Sequence, residues 1–355
     1  MATRKRIYLK PTAFVGQTEG VYLEKKNISR RIGNSNSFFT QIEIVSEGKS
    51  KTKAVSIKEF EKDFLNNKYI KSIYNRILSP KKIFLKNKDF LKKQNYIIFG
   101  ILNVTPDSFS DGGFYFSSEK SKKKAKEMYN DGADFIDVGG ESTRPGAEKI
   151  SSSSEIIRIL PVLQSLSSQN IPISLDSRNY TTMKMSNYYG ISVFNDVSAL
   201  KDGKRKIPLI KKSSSMVILM HMPGTPKTMM KRNQYDNVVL DVYNYLEARI
   251  EYCEKSGINR DKIIVDPGIG FGKDYSQNIK LLKNLSIFHS LGCPIMLGVS
   301  RKRLISKFGK ATAPNERLPG SLAIQLKALN EGIQIFRVHD VKETMQAFEA
   351  WEATQ

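Results

Sequence analysis

The residues most able to do chemistry follow the ends of predicted strands. Nearly every one of eight apolar strand candidates is followed by polar groups, and the segments concerned are Asn103, Gly139–Arg144, Asp176, Asn195–Asp196, His221, Asp266, Ser300–Lys302 and His339. In a barrel of parallel strands the carboxyl ends of all strands meet at one face, and active sites lie there. Eight polar groups at the same strand end therefore predict one shared pocket.

Four of these side chains suit a flat nitrogen heterocycle. They mix hydrogen-bond donors and acceptors, and they are Asp176, Asn195, Asp266 and Lys302. A carboxylate can accept two parallel hydrogen bonds from an aminopyrimidine edge, as it does from a guanidinium group. This set predicts a site for an aromatic ring that carries ring nitrogens and an amino group.

A second set of side chains suits an anion, and its members are Asn103, Arg144, Arg337 and His339. Arg337 and His339 are two residues apart on a predicted strand, so their side chains point to the same side and can share one target. The alternative is that Arg337 pairs with Glu343 or Asp340 while His339 only packs.

Strand candidates and amphipathic helices alternate through most of the chain. The strand candidates are Ile97–Leu102, Phe135–Val138, Ile171–Leu175, Ser192–Phe194, Met216–Met220, Ile263–Val265, Pro294–Leu297 and Ile333–Val338. The clearest helices are Ser121–Asp131, Ser154–Ser167, Val238–Lys255 and Ser321–Asn330. Eight such repeats over roughly 270 residues predict a (β/α)8 TIM barrel, with a doubly wound sheet as the alternative. A short hairpin, with Ile83–Leu85 and Phe90–Leu91 on either side of the turn Lys86–Asp89, is expected to close the barrel floor.

Five segments resemble the signatures of the dihydropteroate synthase family. They are GILNVTPDSFSDGG at residues 100–113, GGESTRPG at 139–146, DPGIGFGK at 266–273, GVSRK at 298–302 and RVHD at 337–340. One of these segments alone would be suggestive, whereas all five in the order of the family are a specific match. The resemblance covers about residues 83–355 and favours the barrel over the doubly wound sheet.

The resemblance implies that a pterin ring binds at the first set of side chains. Asp266 would take its 2-amino and N3 edge, and Lys302 its carbonyl side. The residues implied at the other ring nitrogens and along the walls of the slot are Asn195, Asp176, Met220, Phe271 and Gly298. Ordinary core packing is the alternative for Met220 and Phe271.

For the second substrate and the leaving group, the resemblance implies a site built from loops. The anion-directed set would surround a pyrophosphate, and Asn103 would also ligate Mg²⁺, which accepts oxygen ligands and phosphate groups. A p-aminobenzoate pocket is implied at Phe109, Thr143 and Pro145, with Asp111 near a developing cation. Ser300 and the start of the following helix would receive the carboxylate, because a helix N-terminus favours an anion.

The implied reaction condenses 6-hydroxymethyl-7,8-dihydropterin pyrophosphate with p-aminobenzoate, giving 7,8-dihydropteroate and pyrophosphate in folate biosynthesis. Pyrophosphate would leave the pterin CH₂ carbon before the aniline nitrogen adds, with electrostatics and proximity supplying most of the rate. A pterin-dependent methyltransferase is one alternative, and Arg144, Arg337 and His339 argue against it. A catalytically silent paralogue acting as a partner-stabilising protein is the other, and the presence of Asn103, Arg144 and Lys302 argues against that.

Residues 1–80 lie outside the resemblance and are predicted to form a small α+β extension, with the barrel at 81–355. Within them, Ser56 is placed to cap one helix, and a second helix ends before Pro80. The net charge is +22, and residues 1–94 hold 22 lysines and arginines against 8 acidic residues. Because these charges alternate with apolar residues, a solvated surface is favoured over nucleic-acid binding.

Composition narrows the compartment and the partners. The two cysteines, Cys253 and Cys293, have no CxxC spacing, so neither a zinc site nor a disulfide framework is predicted. No signal-peptide pattern is present, and no stretch approaches the ~20 apolar residues of a membrane span. We therefore expect a cytoplasmic protein, and the resemblance implies small-molecule substrates and a homodimer through the later helices.

Two polar residues are given simple structural roles by their positions. Asp196 directly follows a predicted strand and is expected to cap the next helix. His289 stands alone among its neighbours and is expected at the surface.

Overall fold

An antiparallel sheet and three helices precede the barrel. The computed structural model describes residues 6–47, 52–85, 88–89, 91, 95–105, 113–308 and 313–355. The elements before the barrel are β1 (Ile7–Val15), α1 (Gln17–Lys25), β2 (Arg30–Arg31), β3 (Phe38–Ser46), β4 (Lys53–Ser56), α2 (Ile57–Phe64) and α3 (Lys68–Leu78). β3 pairs with β1, β2 and β4. This arrangement confirms the α+β extension.

The helices of the extension differ in how clearly the sequence marks them. Ser56 caps α2 as predicted, since its side chain accepts the backbone N–H of Glu59 at 3.3 Å. α3 also forms where the sequence predicts a helix. α1 was not predicted, because Gly20 is its one buried residue and the helix carries no apolar stripe.

Eight parallel strands form the barrel. A hairpin of β5 (Phe84–Leu85) and β6 (Lys88–Asp89) precedes them, and its second strand lies in the segment predicted as the turn. The barrel strands are β7 (Ile97–Asn103), β8 (Phe135–Gly139), β9 (Ile173–Asp176), β10 (Val193–Asp196), β11 (Met216–Met220), β12 (Ile263–Asp266), β13 (Met296–Leu297) and β14 (Ile335–Val338). Successive strands pair in parallel, and β14 pairs with β7. A parallel bridge between Val265 and Ile295 joins β12 to the β13 segment. The ring is therefore closed, which confirms the TIM barrel and excludes a doubly wound sheet.

Helices cover the outside of the barrel. They are α4 (Gly113–Asn130), α5 (Ser152–Ser168), α6 (Tyr180–Ser186), α7 (Gly203–Lys212), α8 (Val238–Lys255), α9 (Tyr275–Leu282), α10 (Leu318–Asn330) and α11 (Val341–Glu352). α8 has the predicted bounds, and its first turn is capped by Asn237. Among the helices of the described residues, none combines the length and apolar character that a membrane crossing requires.

The extension docks on the outer helices of the barrel. Arg6 pairs with Glu247 of α8 at 2.7 Å, and the Ser37 hydroxyl donates to the carbonyl of Leu329 at the end of α10 at 3.1 Å. The ring of Tyr8 meets Tyr243 edge-on, with 5.1 Å between the ring centroids. The extension thus has its own core around β3 and shares Tyr8 with the core of the barrel.

The predicted surface position of His289 is wrong. His289 lies in the 3₁₀ helix Leu285–Leu291, is completely buried, and its Nε2 is 2.8 Å from the carbonyl oxygen of Glu331. Burial lowers its pKa to about 3. The extension packs against this same 3₁₀ helix, because the Ser286 hydroxyl donates to the Pro11 carbonyl at 2.8 Å. The surrounding segment Leu285–Leu291 is mostly apolar, which is a local sign of burial that the expectation for a lone histidine did not use.

Candidate active site

The candidate residues continue the rows of side chains that fill the barrel interior. Side chains two apart on a strand point to the same face. The interior core includes Phe135 of β8 and Ile335 of β14, and Arg337 and His339 continue the row of Ile335 upward. By the same alternation, the interior rows of the other strands end in Asn103, Asp176, Asn195, Met220, Asp266 and Gly298. The predicted pocket at the carboxyl ends of the strands is therefore formed by alternation along each strand.

Arg337 lies between two carboxylates at the centre of this pocket. Its Nε donates to Asp137 at 2.6 Å and its Nη2 to Asp176 at 2.8 Å. Asp340 pairs instead with Arg301, so the alternative pairing of Arg337 with Glu343 or Asp340 is wrong. The cation is thus held inside the barrel by two buried acids.

Asp137 was missed by the sequence reasoning. It is fully buried on β8 and accepts from the Ser174 hydroxyl at 2.5 Å and from the Asn195 amide at 3.2 Å. The signal was present as a single acid inside the apolar strand Phe135–Gly139, two residues after Phe135. A charge on the interior row of a buried strand needs a partner, and Arg337 provides it.

Two buried oxygen atoms beside Arg337 have no hydrogen-bond partner within the described part of the chain. They are Oδ1 of Asp176 and Oδ1 of Asn195. Both side chains use their other polar atom within the pocket, since Asp176 binds Arg337 and Asn195 binds Asp137. A buried polar atom without a partner costs free energy unless a ligand supplies one. The two oxygens therefore indicate a ligand with hydrogen-bond donors.

Burial sets the protonation of this pocket. Burial raises the pKa of Asp176, and the nearby cation of Arg337 opposes that shift. Burial likewise raises the pKa of Asp266, opposed by the N–H of Gly268, which donates to its carboxylate at 2.7 Å. For Lys302, burial and the neighbouring Arg337 lower the pKa to about 8. The pocket therefore holds several ionisable groups whose charge a ligand can change.

The loop after β12 is fixed by a second lysine that the sequence reasoning did not single out. Lys273 is buried and donates to the carbonyls of Gly268 at 2.9 Å and Phe271 at 3.0 Å, and its Nζ lies 2.9 Å from His221 Nδ1. Gly268 has φ +70°, and a Cβ there would lie 2.0 Å from the carbonyl oxygen of His221. Burial lowers the pKa of Lys273 to about 7. These contacts place Phe271 above the pocket.

The predicted wall residues lie together on one side. Met220 is buried in a small cluster with Val197, Met222 and Met229, against which Phe271 packs. The ammonium of Lys302 lies 4.1 Å from the centroid of the Phe271 ring, a distance at which cations attract aromatic faces. A Cβ at Gly298 would be 3.8 Å from Cβ of Arg337. Met220 and Phe271 thus pack together and also border the pocket.

His339 and Ser300 bind each other. The Ser300 hydroxyl lies 3.0 Å from Nδ1 of His339 and accepts the backbone N–H of His339 at 3.1 Å. Burial and the nearby Arg337 lower the pKa of His339 to about 3, so its imidazole is neutral. The expected helix after Ser300 is corrected, because a short 3₁₀ helix at Arg303–Lys307 follows and the next α-helix begins at Leu318.

The loop after β8 carries Thr143, Arg144 and Pro145 at the edge of the pocket. Thr143 is half-buried, whereas Arg144 and Pro145 are exposed. The cation of Arg144 is close enough to lower the pKa of both Lys302 and His339. Two further predicted residues, Phe109 and Asp111, lie outside the described residues. Asn103 ends β7 half-buried on the interior row.

Asp196 does not cap the following helix. Its carboxylate accepts the backbone N–H groups of Ser198 at 2.8 Å and Leu200 at 3.1 Å, and it forms a buried ion pair with Lys206 at 2.7 Å. Asp202 occupies the N-cap position of α7. Asp196 instead orders a loop in which Ala199 and Leu200 have positive φ.

Comparison with known proteins agrees with this geometry. A family model described as pterin binding enzyme matches residues 99–339. The dihydropteroate synthase of Escherichia coli strain K12 is 43% identical over 258 residues, which are 72% of this chain and 91% of that protein. The chain belongs to the dihydropteroate synthase family.

Solved structures of dihydropteroate synthases share the fold. That of Xanthomonas albilineans with 4-aminobenzoic acid has a TM-score of 0.69 and 38% identity, covering 73% of this chain and 93% of that one. The same enzyme in complex with 7,8-dihydropteroate has a TM-score of 0.66 and 35% identity, covering 73% and 94%.

Proposed function

We propose that this protein is itself a dihydropteroate synthase. It joins 6-hydroxymethyl-7,8-dihydropterin pyrophosphate to p-aminobenzoate, releasing pyrophosphate and forming 7,8-dihydropteroate. The observation that carries the proposal is the pair of buried oxygens on Asp176 and Asn195, which have no partner among the described residues of a barrel of this family. A pterin is flat and carries ring N–H and amino donors, which are the groups these oxygens lack.

In this proposal the pterin lies flat across the interior. Asp266 accepts from the 2-amino and N3 edge, while Asp176 and Asn195 serve the remaining ring nitrogens. Lys302 donates to the ring carbonyl when it is charged. The wall cluster of Met220 and Phe271 covers one face of the ring, and Gly298 leaves room beside Arg337.

Arg337, His339 and Arg144 are proposed to bind the pyrophosphate. Arg337 is held by Asp137 and Asp176, so its position is set before any substrate arrives. Neutral His339 can donate from Nε2 while its Nδ1 stays with Ser300. Preorganised donors of this kind stabilise charge that develops on a leaving group without reorganisation.

Mg²⁺ is proposed as the cofactor, with Asn103 as its protein ligand. Among the described residues, no group of three or more His, Cys, Asp or Glu side chains could hold a metal ion. A single amide oxygen fits Mg²⁺, which usually retains waters and takes further oxygens from substrate phosphates. When bound, the ion would neutralise charge on the pyrophosphate. Arg337 and Arg144 would share that task.

The second substrate is proposed to enter beneath the loops. Thr143 and Pro145, with Phe109, would form the pocket for p-aminobenzoate, and Asp111 would lie near the cationic carbon. To donate to the substrate carboxylate, the Ser300 hydroxyl must turn away from His339 Nδ1. The aniline nitrogen then adds to the CH₂ carbon that pyrophosphate has left.

A homodimer through the later helices is also proposed. On α10, Leu322, Ala323 and Leu326 lie on one face at spacings of three and four residues, and none of them is buried. A second copy would cover this face. The cytoplasm is the proposed compartment, since the two cysteines of the chain are both free and buried. Light scattering of the intact chain measures the oligomeric state.

The proposed reaction is tested by following dihydropteroate formation from both substrates with Mg²⁺, in the intact chain and in Arg337→Ala. We expect turnover by the intact chain and a fall of about 10²–10³-fold in kcat for the variant, the scale seen when one charge-stabilising donor is removed. Binding of the dihydropterin substrate without turnover would contradict the proposal and favour the silent paralogue.

A further inference from the structure

The loop of residues 142–149, here called the β8 loop, is closed at its base by one buried carboxylate. Glu141 precedes the loop, and its side chain is 2% exposed. Its Oε1 accepts the backbone N–H of Ile150, which follows the loop, at 3.3 Å. One acid therefore joins the two ends of the segment that carries Thr143, Arg144 and Pro145.

The same carboxylate binds a second strand end through Arg178. The Nε and Nη2 of Arg178 donate to the two oxygens of Glu141 at 2.9 and 3.0 Å. Two parallel bonds of this kind fix orientation as well as distance. Because Arg178 lies two residues after Asp176, the pair fixes the β8 loop relative to the strand that carries a proposed pterin ligand.

Two further contacts hold the backbone of the β8 loop. The N–H of Gly146 donates to the carbonyl of Pro226 at 3.0 Å, and the N–H of Ala147 donates to the carbonyl of Arg144 at 3.0 Å. At the base, Arg158 of α5 donates to the carbonyl of Gly140 at 3.0 Å. Arg144 is therefore part of a turn whose position depends on the base of the loop.

We propose that Glu141 and Arg178 form a positioning pair that sets the β8 loop for p-aminobenzoate binding and for contact of Arg144 with the leaving group. This inference rests on the proposed function. Neither side chain needs to touch a substrate. The pterin ligands are held independently, Asp176 by Arg337 and Asn195 by Asp137, so the pair acts on the second substrate more than on the pterin.

The experiment compares the intact chain with Arg178→Gln, Arg178→Lys and a matched control, Arg260→Gln. Arg260 donates to both oxygens of Glu254 at 3.0 and 2.8 Å in the same fork geometry. However, it lies before β12, at the opposite end of the barrel. The control therefore loses a forked ion pair, whose acid is more exposed than Glu141, and a bond from Arg260 to the Leu291 carbonyl, without disturbing the β8 loop.

For Arg178→Gln we expect the KM for p-aminobenzoate to rise at least 10-fold and kcat to fall about 10-fold. Calorimetry should show the Kd of 6-hydroxymethylpterin, which lacks the pyrophosphate, within 2-fold of the intact chain. Arg178→Lys keeps the positive charge but cannot form two parallel bonds to Glu141, so its KM and kcat should lie between those of the intact chain and of Arg178→Gln. Arg260→Gln should leave the KM within 2-fold. An unchanged KM in a folded Arg178→Gln would overturn the proposal.

Amide hydrogen exchange separates this inference from the proposed function. In Arg178→Gln, exchange at Ile150 and across residues 142–149 should rise at least 10-fold, and in Arg260→Gln it should not change. If the intact chain made no dihydropteroate, the proposed function would fail, while the exchange rates would still report on the pair. Equal exchange in the intact chain and in Arg178→Gln would show that the pair does not position the loop.

Discussion

The barrel interior holds two layers of side chains, which come from the same eight strands but differ in chemistry. The upper layer lies at the carboxyl ends of the strands and carries the candidate site residues, and the lower layer is the apolar core beneath it. In the lower layer, Phe99 and Phe135 have no exposed surface, and their rings stack with 4.7 Å between centroids. In the upper layer, two positions beyond Phe135 on the same strand, Asp137 binds Arg337. Because side chains two residues apart on a strand point to the same face, Phe135 and Asp137 both point into the barrel interior. The position of a residue along its strand therefore decides whether it packs in the core or belongs to the candidate site.

The two layers also differ in whether their buried atoms have favourable contacts. The lower layer is apolar and close-packed, which stabilises the fold through burial and dispersion. The upper layer keeps buried oxygens of Asp176 and Asn195 without partners in the described residues, and burial shifts the pKa of Lys302. Such a layer is costly without a ligand, and in the proposed function the pterin supplies the missing hydrogen-bond donors. The comparison predicts opposite responses to substitution.

The largest effect on stability is expected from Phe135→Ala in the lower layer. Removing a buried aromatic ring leaves a cavity and should lower the free energy of unfolding by about 3–5 kcal/mol. Urea unfolding measures this loss, and the pterin Kd at a temperature where the variant is folded should stay close to that of the intact chain.

Asn195→Leu, one layer higher, serves as the matched control for Phe135→Ala. It should weaken pterin binding with a much smaller change in stability. If Phe135→Ala weakened pterin binding as strongly as Asn195→Leu, the two layers would not be separable.

The sequence predicts the features that depend on local patterns, but it does not predict the contacts between distant residues. The strands, the barrel and the polar residues at the strand ends were predictable, because alternation and strand ends are local patterns. The partner of Arg337 was not, since Asp137 is 200 residues away and the two meet when the barrel closes. His289 and Asp196 were misplaced for a similar reason. Their partners, the carbonyl of Glu331 for His289 and the side chain of Lys206 for Asp196, come from outside the adjacent residues.

A pH series should show stability and substrate binding changing in opposite directions because of Lys302. Its pKa is lowered from 10.5 to about 8, chiefly by burial. Between these values the unfolded chain binds a proton that the folded chain does not, so the free energy of unfolding rises with pH. The slope contributed by Lys302 is at most about 1.4 kcal/mol per pH unit. Loss of the charge should meanwhile reduce kcat/KM for the pterin substrate as pH rises through about 8.

Lys302→Met isolates this contribution to stability. Urea unfolding of the variant from pH 7.5 to 10 should lack the rise that the intact chain gains from Lys302, since methionine does not titrate. Parallel curves for the two proteins would show that the lysine does not change charge on folding in this range.

The smallest effect is expected where the extension meets the barrel. Arg6 binds Glu247 at 2.7 Å and Asn244 at 2.9 Å, but its side chain is 38% exposed, and Arg76 also reaches Glu247 at 3.4 Å. Arg6→Ala should therefore lower the free energy of unfolding by only about 0.5–1 kcal/mol, because water screens an exposed pair and Glu247 keeps a partner. Urea unfolding measures the change.

For that substitution, Lys53→Ala is the control, since Lys53 forms a more exposed pair with Glu59 inside the extension. It should change stability by a few tenths of a kcal/mol at most. Neither variant should alter kcat/KM, because α8 meets the extension on the outside of the barrel, away from the upper layer. A fall of more than about threefold in kcat/KM for Arg6→Ala alone would mean that the extension influences the pocket. Residues outside the upper layer would then contribute to catalysis, and the division between packing and chemistry would hold only within the barrel interior.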